Sequence, residues 1–133
     1  MNLYHFCAAS SMRNIMQEGI TEGMTPILIG EELTIDRPTQ WLTLEPDARK
    51  QSWNTKQLIT IDRTAYRLTV RIPESYKKKL LKASEYIKAF PEENWGLVFD
   101  WEGSENWYVY RGRIPPHWII GTHKNTRTLE MER

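Results

Sequence analysis

The chain has 133 residues, 40% of them hydrophobic and 26% charged, with a formal net charge of +1; this size and balance fit one folded domain and exclude wholesale disorder. Its one cysteine, Cys7, excludes an internal disulfide or a cysteine-rich metal site and points to a reducing, cytoplasmic setting. The near-neutral charge gives no global pull towards nucleic acid or membrane, the opening MNLYHFCAASS lacks the regions of a signal peptide, and no stretch stays apolar for the ~20 residues of a bilayer crossing.

Residues 2–6 read as a first strand. Ser10 or Ser11 is placed to cap a short helix that carries Met12, Ile15 and Met16 on one face and stops at Gly19. Residues 20–30, punctuated by Gly, Thr and Pro, read as loop with at most a short extended piece, and residues 31–39 as irregular. A compact strand follows over residues 40–44, then Glu45-Pro46-Asp47 as a helix entry and a helical turn or two over residues 48–53.

The clearest strand spans residues 64–72, where Tyr66, Leu68, Val70 and Ile72 alternate with Arg67, Thr69 and Arg71 until Pro73 stops it. Residues 76–90 predict the main helix, because Tyr76, Leu80, Ala83, Ile87 and Phe90 step by four and three along one stripe. Its lysines, Lys77, Lys78, Lys79, Lys82 and Lys88, read as a solvated face with few aromatics between them, unlike a base-stacking platform. Residues 107–111 form another strand, Gly112 allows a bend, and residues 118–120 resume extended structure. The whole reads as a single α+β domain over residues 1–120, followed by a polar tail over 121–133 that frays.

The search for chemistry begins with exclusions. There is no Gly-rich phosphate loop. His5, His117 and His123 lack the close spacing of a zinc site, so no metal is expected. Cys7 and His5 share a strand face, yet no third group is evident to orient them as a nucleophile pair. The acids Glu92, Glu93, Asp100 and Glu102 read as surface carboxylates. Six tryptophans, Trp41, Trp53, Trp95, Trp101, Trp107 and Trp118, serve either as core filler or as flat faces for an adenine or nicotinamide ring.

One ordered set stands out: a YHF strand, a helix ending in EGI, the strands QWLT and DRTAYRLTV, and then WYVYRGRIPPHWI. This order resembles the ADP-ribosyltransferase-like superfamily, and its opening is similar to the histidine-containing, bacterial toxin-like branch. The resemblance spans residues 2 to 120. It implies an ADP-ribosyltransferase-like split β-sheet with two main helices, NAD as substrate, and a bacterial or phage toxin-like role towards a protein or nucleic-acid target.

Residue by residue, the resemblance assigns Tyr4 and His5 to the nucleotide site. His5 would be a rigid hydrogen-bond donor to the adenosine ribose. Trp41 would cover the nicotinamide, with the Thr43 hydroxyl on the same strand face supporting it. Arg63 would clamp the pyrophosphate, unless neighbouring Asp62 engages it locally. Gln51 and Asn54 would be polar neighbours of the cleft. The family's acid, about five residues before the glycine of Gly-x-Ile-Pro-Pro, falls on Trp107 here. Glu105 is the nearest carboxylate and takes the catalytic role beside His5, polarising the ribose hydroxyl and steadying an oxocarbenium ion. The departure at Trp107 supports an alternative, a catalytically degenerate nucleotide- or protein-binding domain such as a phage or toxin-system inhibitor. A third reading, RNA 2′-phosphate transfer, needs Arg63, Arg67 and Arg71 gathered in one cleft.

Overall fold

The computed structural model describes residues 1–53 and 63–125. Their strands are β1 (Leu3–Cys7), β2 (Thr25–Ile29), β3 (Glu32–Asp36), β4 (Gln40–Thr43), β5 (Tyr66–Val70), β6 (Leu80–Lys82), β7 (Trp107–Tyr110) and β8 (Ile119–Lys124). Three short helices accompany them: α1 (Met12–Glu18), α2 (Ala83–Lys88) and α3 (Gly96–Phe99). Six strands make one antiparallel sheet in the order β6-β7-β4-β1-β5-β8, while β2 and β3 pair as a separate hairpin. The molecule is thus a mixed α+β domain. Among the described residues no helix is long and apolar enough to cross a membrane.

Strand alternation divides the core in two. One cluster joins Leu3, Cys7, Leu42, Leu68, Val70 and Tyr110 to Ile15 of α1 and to Ile20, Ile114 and Trp118. The other joins Val109 to Ile27 of the hairpin, to Ala83, Tyr86 and Ile87 of α2, and to Val98 of α3, with Trp41 and Trp107 packed against them. Neighbouring residues Trp41 and Leu42 therefore serve different cores.

The early helix forms where its spacing predicts. Ser11 occupies the N-cap, though its side chain makes no capping bond, and Met16 lies exposed while Ile15 is buried. Gly19 closes the helix at φ 90°, its N–H reaching the Ile15 carbonyl at 2.7 Å. A Cβ on Gly19 would lie 2.0 Å from the Ile114 carbonyl oxygen, so the residue is needed for both its conformation and its closeness.

Three segments differ from the sequence reading. Residues 20–39 are more ordered than that reading: β2 and β3 pair over five positions around Gly30, whose φ of 65° makes the turn, while residues 21–24 and 37–39 stay irregular. Their pattern hides the strand because Leu28, Ile29, Leu33 and Ile35 are all exposed, which erases the inward–outward contrast. The buried Asn94 side chain stands in for a further strand, accepting from the Leu28 N–H at 2.7 Å and donating to its carbonyl at 2.8 Å.

The long helix over residues 76–90 is also absent. The segment divides into a 3₁₀ turn (Glu74–Lys79), β6 and α2. The outer edge of β7 needs partners, and Leu80, Leu81 and Lys82 supply them opposite Tyr110, Val109 and Tyr108. The apolar stripe then serves two cores, with Leu80 against the first and Ala83, Ile87 and Phe90 in the second. Finally, the polar tail begins later than residue 121. Residues 119–124 pair as β8 along the outer edge of β5, since a ladder needs backbone groups rather than apolar side chains.

Candidate functional site: a cleft where the sheet parts

β1 pairs with β5 over five positions and β4 pairs with β7 over four, but β1 and β4 meet only at Tyr4 and Thr43. The central sheet therefore opens next to that single pair, at His5. The His5 Nδ1 lies 3.1 Å from the Trp41 carbonyl oxygen, a side-chain bond between the two parting strands. A carbonyl only accepts, so Nδ1 carries the proton. Burial lowers the His5 pKa, and the weaker effect of the carbonyl bond opposes it. The ring is thus neutral near pH 7 and offers Nε2 as an acceptor. This reverses the donor role expected from the sequence: a ligand hydroxyl would donate to His5.

Two cavities meet at this half-buried ring. The larger, about 870 Å³, has polar walls that include Ser10, Ser11, Asn14, Glu22 and Arg63. The smaller, about 370 Å³, is walled by Tyr4, Trp53, Leu97, Trp101 and Trp107. His5, Phe6, Met24, Trp41 and Trp53 line both. A ligand with one polar and one planar apolar half fits this division.

The aromatic chamber is held firmly. The Trp41 indole N–H donates to the Thr25 hydroxyl at 3.0 Å, and its ring meets Tyr86 and Trp107 edge-on at 6.0 and 6.1 Å. Trp41 is accordingly both a core residue and a cleft residue. Thr43 is buried, accepts from the Glu45 N–H at 3.1 Å and faces the small cavity. Tyr4 lines the same cavity beneath the Arg67 guanidinium, 5.2 Å from its ring centre. Gln51 lines it too. Its amide donates to the Glu45 and Asp47 carbonyls, and its oxygen accepts from the Trp53 indole at 3.2 Å.

The expected charged groups divide. Arg63 is exposed on the wall of the larger cavity, while Asp62 and Asn54 lie outside the described residues. Glu105 sits exposed on the 3₁₀ turn Ser104–Asn106 and lines neither cavity. Trp107, which stands where the resemblance implies an acid, lines the aromatic one. Glu22 is the carboxylate that the described cavity walls do contain. Arg67 donates to the Pro46 carbonyl at 3.1 Å and Arg71 to the Asn2 side chain at 3.1 Å, so neither joins Arg63 in the cleft. The gathered arginines that 2′-phosphate transfer needs are not assembled among the described residues.

Cys7 lines the larger cavity, but burial pushes its thiol up to about 11 and its Sγ lies 3.6 Å from the Met12 sulfur, so it is no activated nucleophile. Sequence reasoning missed Glu22 as a cleft residue and left Trp53 and Trp101 between core and ring-stacking roles. Each lies in an irregular segment, where no period marks which way a side chain turns. The chain matches no protein-family model, and neither a curated protein nor a solved structure gives a significant match.

Proposed function

We propose that the cleft binds NAD or a nucleotide derived from it, in an ADP-ribosyltransferase-like arrangement. The observation that carries this reading is His5, a neutral imidazole fixed by the Trp41 carbonyl where a polar and an aromatic chamber meet. The adenosine ribose donates to Nε2, Arg63 faces the pyrophosphate, and the nicotinamide enters between Trp53, Trp101 and Trp107. The single-position pairing of β1 with β4, within an otherwise continuous six-stranded sheet, is the feature nearest to the split sheet that the resemblance implies. Calorimetric titration with NAD and ADP-ribose tests it. The folded protein should bind at least one of them, and His5→Ala should weaken that binding about tenfold, the scale of one buried hydrogen bond. A folded wild type that binds neither ends the proposal.

A specific observation favours catalysis as the second step: Glu22 lines the cleft, whereas Glu105 does not. In an ADP-ribosyl transfer, the bond between nicotinamide nitrogen and ribose C1″ breaks, and its electron pair leaves on nicotinamide. An acceptor oxygen or nitrogen bonds to C1″, and its proton passes to the Glu22 carboxylate or to water. Nicotinamide release, followed chromatographically, should stop in Glu22→Gln and persist in Glu105→Gln. The opposite result returns the role to Glu105. Binding without release in the wild type identifies a degenerate, non-catalytic domain.

A further inference from the structure

A second groove, of about 910 Å³, lies beside the cleft and shares Thr21 and Glu22 with it. Four segments distant in sequence build it: residues 18–22 at and beyond the end of α1, Pro38, the 3₁₀ turn Glu74–Lys79, and residues 110–118 from the end of β7 onward. Three cations reach its wall, Lys79, Arg111 and Arg113. Lys79 and Arg113 are exposed and make no ion pair among the described residues. Arg111 approaches Asp36 at 3.5 Å but keeps 51% of its side chain in solvent.

Between these cations stands an aromatic shelf. Tyr76 is 46% exposed, and its ring centre is 4.9 Å from that of buried Trp118, which Tyr110 in turn meets edge-on at 5.7 Å. The sequence hid this arrangement, because the lysine run shows few aromatics between its charges. Folding brings the ring of Trp118 beneath Tyr76, and two arginines alongside Lys79.

We propose that this groove binds a short single-stranded nucleic acid. A base stacks on Tyr76, whose position Trp118 fixes, while the flanking phosphates meet Lys79 and Arg113. Glu18 and Glu22, which also line the groove, repel phosphate and accept from base amino groups, so backbone and base edges take opposite walls. A duplex is disfavoured because its stacked bases hide the π-faces that Tyr76 needs. The proposal stands apart from the NAD reading, and its test uses no NAD.

Fluorescence anisotropy with a labelled mixed-sequence oligonucleotide of about ten nucleotides provides that test. Single strands should bind, more weakly as salt rises, and unlabelled duplex should compete poorly. Lys79→Glu with Arg113→Glu, both on the surface, should weaken binding more than tenfold. Tyr76→Ala should weaken it roughly fivefold to tenfold without altering the salt slope, while Arg113→Ala should reduce that slope by about 0.7. The separation matters, because a merely electrostatic surface would lower the slope and ignore Tyr76. Circular dichroism confirms that each variant is folded. The proposal is overturned by absence of single-strand binding, by indifference to Tyr76→Ala, by equal competition from duplex or inorganic polyphosphate, or by tighter binding of a phosphopeptide.

Discussion

The His5 cleft and the Tyr76 groove share a wall and both present tryptophan and tyrosine, yet they are built for different company. In the cleft the rings line a chamber and hydrogen bonds hold them, as Thr25 holds Trp41 and Gln51 holds Trp53. In the groove a solvent-facing tyrosine rests on a buried tryptophan with cations beside it. The same side-chain type thus does different work according to what surrounds it. Rings gathered around a pocket suit a planar group that packs between them, a cationic ring included. An open ring among cations suits one base of a charged chain that stays wet.

The comparison can be broken most severely at the shared wall. Ile20 and Ile114 bridge there through paired backbone hydrogen bonds, and Gly19 packs directly on Ile114. Gly19→Ala should cost about 2–4 kcal/mol in chemical denaturation and weaken both sites together, since the new methyl meets a backbone carbonyl at a positive φ. Wild-type stability in that variant would mean that the wall yields. A narrower cut is Trp53→Ala. Nucleotide affinity in the cleft should drop about tenfold, close to 1.4 kcal/mol, with oligonucleotide affinity unchanged. Equal losses at both sites would show that the two are not separate.

The smallest expected effect sharpens the protonation of the cleft. Because burial lowers the His5 pKa in the folded protein, the unfolded chain binds the proton more readily. The stability that His5 contributes is complete above its ordinary value of 6.5 and is lost as pH falls from there through the lower folded pKa. Thermal midpoints of wild type and His5→Gln, compared between about pH 7.5 and about pH 5.5, should show the steeper fall in the wild type. Parallel curves would mean that the folded ring takes up a proton without penalty.

Legibility followed the range of the forces involved. Residues 3–7, 40–43, 66–70 and 107–110 were readable as strands, and residues 12–18 as a helix closed by Gly19, because alternation and capping are local. His5, Trp41, Thr43, Tyr4 and Arg63 were cleft candidates through the family resemblance alone, and Gln51 through nearness to the QWLT strand; all six line the described cavities. Glu105 stood out only for its nearness to Trp107, and nothing in the sequence pointed to Glu22. Both lie in irregular chain, where one rotation of the backbone decides whether a carboxylate meets a cavity or solvent.

What the sequence determined by itself, then, was the sheet's central strands, their two-faced apolar pattern and the histidine between them. Only the tertiary structure decided that Leu80–Lys82 would leave a helical stripe to pair with β7, and that residues 119–124 would extend the other edge. It alone set Tyr76 on Trp118 beside Arg113. The reason is physical. Periodicity records which side chains must leave water, but sheet edges and converging side chains are satisfied by partners dozens of residues away, and those exist only once the chain has folded.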